Sequence, residues 1–97
     1  MITAIVLIGS DREALPRLGG TLADLPGVAE AYSVTGEWDF ACIVRVPRHE
    51  QLAEVVAGGI AELPGVTRTQ TMVAFEAFSR HDLEAMFDLG NPESDGG

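Results

Sequence analysis

The tetrapeptide Leu-Pro-Gly-Val occurs twice in this sequence, at residues 25–28 and again at residues 63–66. Each copy follows a segment whose apolar residues have helical spacing and precedes a segment rich in β-branched residues. A Pro-Gly pair between two such segments is typical of a tight turn that ends a helix and opens a strand. The repeat therefore divides the chain into two halves with one plan, and each half is expected to fold as a β-α-β unit.

The four predicted strands differ in their apolar patterns. Residues 2–9 and 40–46 are apolar on both faces, whereas residues 28–35 and 67–78 carry more polar side chains. A strand that is apolar on both faces is usually central in its sheet and covered on both sides. The first and third strands are therefore predicted to lie in the middle of the sheet.

Two amphipathic helices are predicted between these strands. Ser10 stands three residues before Glu13, which is the spacing of a capping box at the start of a helix. A further short helix is predicted over residues 79–90, and residues 91–97 have a disordered, acidic composition. The apolar positions that define the two main helices are Leu15, Leu18, Leu22 and Leu25 in the first and Leu52, Val55, Val56, Ile60 and Leu63 in the second.

The order of these elements predicts an α+β fold of ferredoxin-like βαββαβ topology, with a four-stranded antiparallel sheet over residues 1–78. Both helices then lie on one face of the sheet. The other face still carries apolar side chains, either the set that includes Val73 and Phe75 or the opposite set. An uncovered apolar sheet face is commonly buried against another sheet. We therefore predict a sheet-on-sheet dimer, a dimeric α+β barrel.

The composition limits the function classes that are open to the chain. Its 97 residues carry a formal net charge of −9, which repels a phosphate backbone and disfavours direct nucleic-acid binding. The single cysteine, Cys42, cannot form an intramolecular disulfide, which fits a cytoplasmic protein. The apolar N-terminal stretch lacks a basic region and is too short to span a bilayer, so we predict neither a signal peptide nor a membrane anchor.

Signatures of catalysis and of metal binding are missing from the sequence. It contains no nucleophile elbow, no phosphate-binding glycine loop and no paired-histidine motif. His49 and His81 are isolated, and neither has a metal-ligand spacing with Cys42. The prediction is that the protein is not an enzyme and has no catalytic residues, metal or cofactor.

Several short motifs together resemble the ligand-binding domain of the Lrp/AsnC family of amino-acid-responsive regulators, also called the RAM domain. They are Pro26-Gly27-Val28, the stretch Tyr32-Ser33-Val34-Thr35-Gly36-Glu37-Trp38-Asp39, Leu63-Pro64-Gly65-Val66 and Thr69-Gln70-Thr71. The resemblance covers about residues 2–78. Usual family members carry a helix-turn-helix before this domain, whereas this chain begins at the first strand, so the resemblance implies the stand-alone form.

The resemblance also implies a function. Family members of this kind form dimers by sheet packing, assemble into octamer or decamer rings, and bind an amino-acid effector between dimers. The expected partners are therefore further copies of the chain and a small molecule, an amino acid. A role in transcription regulation through co-assembly with full-length relatives is what the resemblance implies in place of direct DNA binding.

Five consecutive residues align with the family's effector loop: Thr35, Gly36, Glu37, Trp38 and Asp39. Gly36 permits a tight turn that exposes backbone N–H groups to a ligand carboxylate, and the Asp39 carboxylate could receive an ammonium group. The alternative is that Gly36 is only a turn residue and that Asp39 caps the hairpin.

Thr69 and Thr71 match the family's Thr-x-Thr, and their hydroxyls could hydrogen-bond a bound amino acid. The alternative for these two is an ordinary preference of β-branched residues for strands. Two other functions stay open at this stage. One is a small monooxygenase-like enzyme of the dimeric α+β barrel type, and the other is a purely structural assembly module.

Overall fold

The computed structural model describes residues 1–78, and within them strands and helices follow one another in the predicted β-α-β-β-α-β order. The elements are β1 (Ile2–Ser10), α1 (Leu15–Ala23), β2 (Val28–Ser33), β3 (Phe40–Val46), α2 (His49–Ala57), a short 3₁₀ helix (Ile60–Glu62) and β4 (Val66–Val73). The sheet order is β2-β3-β1-β4, and every neighbouring pair is antiparallel. The ferredoxin-like fold and the central position of β1 and β3 are therefore confirmed. The helix predicted over 79–90 and the tail at 91–97 lie outside the described residues.

The core lies between the sheet and the two helices. Alternate residues of β1 and β3 are fully or almost fully buried, and they pack against buried leucines of both helices and against Ile60 of the 3₁₀ helix. No buried residue of the described part is polar or charged. The residues that form this core are Ala4, Val6, Ile8, Ala14, Leu18, Leu22, Phe40, Cys42, Val44, Val46, Leu52 and Ile60.

Both copies of Leu-Pro-Gly-Val form the same turn. The amide of Val28 donates to the carbonyl of Leu25 over 3.1 Å, and the amide of Val66 donates to that of Leu63 over 3.2 Å. The glycine has a φ of +92° in the first turn and +97° in the second. Proline followed by a glycine with positive φ, closed by a hydrogen bond between the outer residues, defines a type II turn.

The start of α1 differs from the prediction. Ser10 belongs to β1, and the helix begins only at Leu15, so the capping box of Ser10 and Glu13 was wrong. The amide of Ala14 instead donates to the Asp11 carboxylate over 2.9 Å. The amide of Ser10 is held by a residue far along the chain, so local spacing could not identify its role.

Three element ends also differ from the predicted boundaries. β2 ends at Ser33, and α2 ends at Ala57 because the Gly58-Gly59 pair lowers helix propensity. β4 ends at Val73 although the alternating pattern continues to Phe78. Val73 pairs with Ala4, and one further bond, from the Ala74 amide to the Thr3 carbonyl over 2.9 Å, brings the chain next to the start of β1 at Ile2.

The face of the sheet opposite the helices is open in the protomer. The pairing register places Thr69, Thr71 and Val73 beside buried β1 residues, on the helix side. The open face therefore carries the set that alternates with them. Its apolar members are Ile5, Leu7, Tyr32, Ala41, Ile43 and Met72. Of the helices within residues 1–78, none has the length and apolar character needed to cross a bilayer.

Candidate functional site

Residues 34–39 form the loop between β2 and β3, and two backbone hydrogen bonds fix its ends. The amide of Val34 donates to the carbonyl of Asp39 over 3.0 Å, which closes the loop. The amide of Asp39 donates to the carbonyl of Ile8 over 2.9 Å, which attaches the loop to β1. The loop is thus fastened to the rigid sheet at its base.

The Asp39 carboxylate is half-buried and already has a partner. Its Oδ2 accepts a hydrogen bond from the amide of Ser10 over 2.8 Å, beyond the point where the pairing of β1 with β3 ends at Ile8. A carboxylate has further lone pairs on both oxygens, so it can still accept hydrogen bonds from a ligand. Asp39 therefore caps the end of β1 and leaves acceptor capacity in the loop.

The tip of the loop presents backbone donors that the rest of the described chain does not use. Within residues 1–78, the amides of Thr35, Gly36, Glu37 and Trp38 donate no hydrogen bond. Gly36 has a φ of +104°, and nothing lies within 4 Å of the position a Cβ would take. Thr35, Gly36 and Glu37 are exposed and Trp38 is half-buried, so the tip of the loop is open to water or to a ligand.

Arg68 of β4 contacts this loop, although β4 lies on the far side of β1. Its Nη2 donates to the Glu37 carbonyl over 2.9 Å, and its guanidinium carbon lies 4.1 Å from the centroid of the Trp38 ring. Sequence reasoning missed Arg68, since it considered only the opposite strand face, which carries Thr69 and Thr71. The available signal was Gly9, the one glycine of β1.

Thr69 and Thr71 do not join the loop in one protomer. They pair with Ile8 and Val6 and face the helix side of the sheet, whereas Arg68 and the Trp38 beneath it lie on the open face. Thr69 is half-buried and Thr71 is exposed. The structure thus brings the five loop residues together and leaves the threonine pair on the other face of the sheet.

Two titratable groups elsewhere have shifted pKa values. Burial raises the pKa of the Cys42 thiol to about 11, which keeps it protonated and unreactive near neutral pH. The hydrogen bond from the Tyr32 hydroxyl to Glu30 raises the pKa of that tyrosine. Tyr32 lies on the open face, where Glu30 also approaches Arg45 over 3.7 Å.

The described residues offer no metal centre, and two surface hollows on them lie away from the loop. Among residues 1–78, no group of three or more potential ligands could hold a metal ion. His49 is exposed at the first position of α2, and His81 lies outside the described range. Two surface hollows of about 240 and 300 Å³ lie between the first Leu-Pro-Gly-Val turn and α2, away from the loop.

The sequence matches one protein family over most of its length. The model of the Lrp/AsnC ligand binding domain matches residues 3–83. An uncharacterised HTH-type transcriptional regulator of Pyrococcus furiosus is 37% identical over 76 residues, which make up 75% of this chain and 51% of that protein. A regulator of the same description from Pyrococcus horikoshii is 36% identical, with the same coverage. The chain thus spans about half the length of these relatives.

Solved structures show the same fold. A protein of Thermus thermophilus is 49% identical with a TM-score of 0.77, and the match covers 82% of this chain and 100% of that one. The feast or famine regulatory protein of M. tuberculosis, solved as a complex with L-methionine, is 23% identical with a TM-score of 0.65. That match covers 81% of this chain and 53% of the M. tuberculosis protein.

Proposed function

The chain belongs to the Lrp/AsnC ligand binding domain family, and from this membership we propose that it is an oligomeric sensor domain. In this proposal the effector is an amino acid, and it binds at the loop of residues 35–39. The relatives named as HTH-type transcriptional regulators are about twice as long as the matched region. A regulatory role through co-assembly with such relatives is part of the proposal.

The observation that carries the proposal is the set of unused amides at the loop tip, beside the Asp39 carboxylate. An amino acid presents a carboxylate and an ammonium group a few ångströms apart. The exposed N–H groups around Gly36 suit the carboxylate, and Asp39 suits the ammonium group. The hydrogen bonds at Val34, Asp39 and Ser10 hold the loop in place before a ligand arrives, which lowers the ordering cost of binding.

The position of Thr69 and Thr71 favours a site shared between copies. They face the opposite side of the sheet from the Trp38 stack, so one ligand cannot readily contact both sets in a single protomer. We infer that the loop of one copy meets the threonines of another at a seam between copies. This inference accounts for a threonine pair that lies on the edge strand β4, with Thr71 exposed.

The open sheet face supports dimerisation by sheet packing. Its strands carry three charged side chains, Glu30, Arg45 and Arg68, which sum to one positive charge against a net −5 for residues 1–78. Within residues 1–78 the acidic excess therefore lies away from this face, and two copies can bring the apolar residues together without strong repulsion. A sheet-on-sheet dimer is the proposed building block of any larger ring.

Effector binding is tested by thermal unfolding in the presence of each proteinogenic amino acid. A ligand at one hundred times its Kd should stabilise the fold by about 2.7 kcal/mol, which raises the Tm by about 10 °C for a domain of this size. Asp39→Asn should keep the Ser10 contact and lose most of this shift, because the amide oxygen still accepts but the charge is gone. Absence of any shift across the panel would contradict the proposal and favour a purely structural module.

Assembly is tested separately by sedimentation velocity at micromolar concentration. Ile5→Glu places a charge in the middle of the open face and should weaken the dimer by at least about tenfold. Leu15→Glu is the matched control, since Leu15 lies on α1 and is 38% exposed. A wild-type protein that sediments as a single protomer would rule out the proposed dimer.

A further inference from the structure

Gly9 is the position on β1 where a side chain can cross from one neighbouring strand to the other. A Cβ at this residue would lie 2.8 Å from the Arg68 Cγ and 3.1 Å from its Nε. Real Cβ atoms do not approach that closely, so any other residue here displaces the arginine. The backbone of Gly9 does not have a positive φ, so the missing side chain, and not a special conformation, is what this site requires.

Arg68 uses that gap to reach the loop. It starts from β4, passes over β1 at Gly9, and ends at the loop between β2 and β3. There it donates to the Glu37 carbonyl over 2.9 Å and stacks 4.1 Å from the Trp38 ring centroid. The planar guanidinium can hydrogen-bond at its edge and stack on its face at the same time, which a lysine cannot do as well.

We propose that Arg68 is a positioning residue that holds the 35–39 loop against the sheet. We call its side chain, which crosses β1 at Gly9, the strap. The other fastenings hold the base of the loop at Val34 and Asp39, and Arg68 holds its middle, at Glu37 and Trp38. The strap keeps the amides of residues 35–38 in one arrangement, so a ligand meets a preformed set of donors. The inference deepens the proposed function and rests on it for the role of the loop.

Two substitutions break the strap from opposite sides. Arg68→Ala removes the side chain, and Gly9→Ala leaves the arginine but blocks its path. The matched controls are Arg17→Ala, with the same charge change on the exposed side of α1, and Gly20→Ala, where nothing lies within 4 Å of the new Cβ. Arg68→Lys keeps the charge and loses the planar stack, so its effect should be intermediate.

The readout is Trp38, the single tryptophan of the chain, together with hydrogen exchange of residues 34–39. Both strap variants should raise acrylamide quenching of Trp38 and speed exchange in the loop, while the controls stay at the wild-type values. If the strap keeps about 90% of loops competent and its loss leaves about 10%, effector affinity falls about ninefold. Circular dichroism checks that each variant is folded. If Gly9→Ala does not fold, Arg68→Ala alone tests the inference.

Folded strap variants with wild-type quenching and exchange would overturn the inference. So would an amino acid that binds wild type and Arg68→Ala equally well, and in that case the proposed function would stand. If no amino acid binds the wild-type protein, the proposed function fails, and the Trp38 and exchange measurements still decide whether Arg68 positions the loop.

Discussion

Substitution of Gly65 by alanine should be among the most damaging single changes at the turns of this domain. Gly65 has a φ of +97°, and holding a residue other than glycine in such a region costs about 1–3 kcal/mol. The new Cβ would also overlap the Cβ of Ala14, which is fully buried, and overpacking of this kind adds about 1–3 kcal/mol. Alanine also lowers the conformational entropy of the unfolded chain, which offsets only about 0.4–1 kcal/mol of this cost. The net destabilisation is therefore about 3 kcal/mol.

Two other glycines with positive φ separate the two contributions. Gly36→Ala has the backbone strain but no atom within 4 Å of the new Cβ, so its net cost should be only about 1 kcal/mol. Gly27→Ala meets the Cγ2 of Val55 at 2.5 Å, and Val55 is only half-buried, whereas the Ala14 that Gly65→Ala meets is fully buried. The expected order of destabilisation is Gly65 first, Gly27 second and Gly36 last.

Urea unfolding followed by circular dichroism measures these differences at one fixed protein concentration, because association shifts the midpoint. A double-mutant cycle with Ala14→Gly isolates the overlap, since removal of the Ala14 methyl should recover about 1–2 kcal/mol of the Gly65→Ala cost. Equal losses for Gly65→Ala and Gly36→Ala, with no coupling to Ala14, would refute the overlap. Backbone strain alone would then explain the turn glycines.

The buried core and the contact between Asp39 and Ser10 are tested by substitutions at Leu22, Cys42 and Asp39. Leu22→Ala, at a fully buried position, should cost about 2–5 kcal/mol, whereas Leu15→Ala, at a 38% exposed one, should cost much less in the same urea titration. Burial raises the pKa of the Cys42 thiol from 9.0 to about 11, so the contribution of this thiol to the free energy of unfolding is fully present below pH 9. It is lost as the pH rises from 9 towards 11, by about 3 kcal/mol. Cys42→Ala should remove that slope, and an unchanged slope would show that another group causes it. Asp39→Ala should lower the free energy of unfolding by about 1–2 kcal/mol because the Ser10 amide loses its acceptor, whereas Asp39→Asn should lower it little. An equal loss in both variants would mean that the charge, and not the hydrogen bond, stabilises this end of β1.

The parts of the fold that sequence predicted well depend on local or periodic signals. The Pro-Gly pairs specify type II turns through proline's fixed φ and glycine's freedom at positive φ, so the two halves could be recognised from residues 25–28 and 63–66 alone. The two-sided apolar patterns of β1 and β3 report burial by helices on one face and an apolar open surface on the other. Both signals come from contiguous residues, so they can be recognised without knowledge of contacts between distant parts of the chain.

The parts that sequence missed depend on partners far along the chain. Ser10 has the spacing of a helix cap, but its amide is taken by Asp39, 29 positions away. The end of β4 is determined by where β1 begins, which the alternation up to Phe78 does not encode. Arg68 has the sequence pattern of an ordinary solvent-facing strand residue, and its contact with Trp38 joins positions 30 residues apart. The structure gives the positions of the loop residues and of the two threonines. Their contact with an effector stays a prediction.

Every strand pair within residues 1–78 joins the first β-α-β unit to the second. β1 pairs with β3 and β4, and β2 pairs with β3. During synthesis, the residues before β3 therefore leave the ribosome with no complementary strand to meet. The domain has to be almost completely translated before its sheet can close, and assembly should depend on slow, long-range encounters. By the same logic, a cut in the 34–39 loop should yield two pieces that are unstructured alone and recombine when mixed.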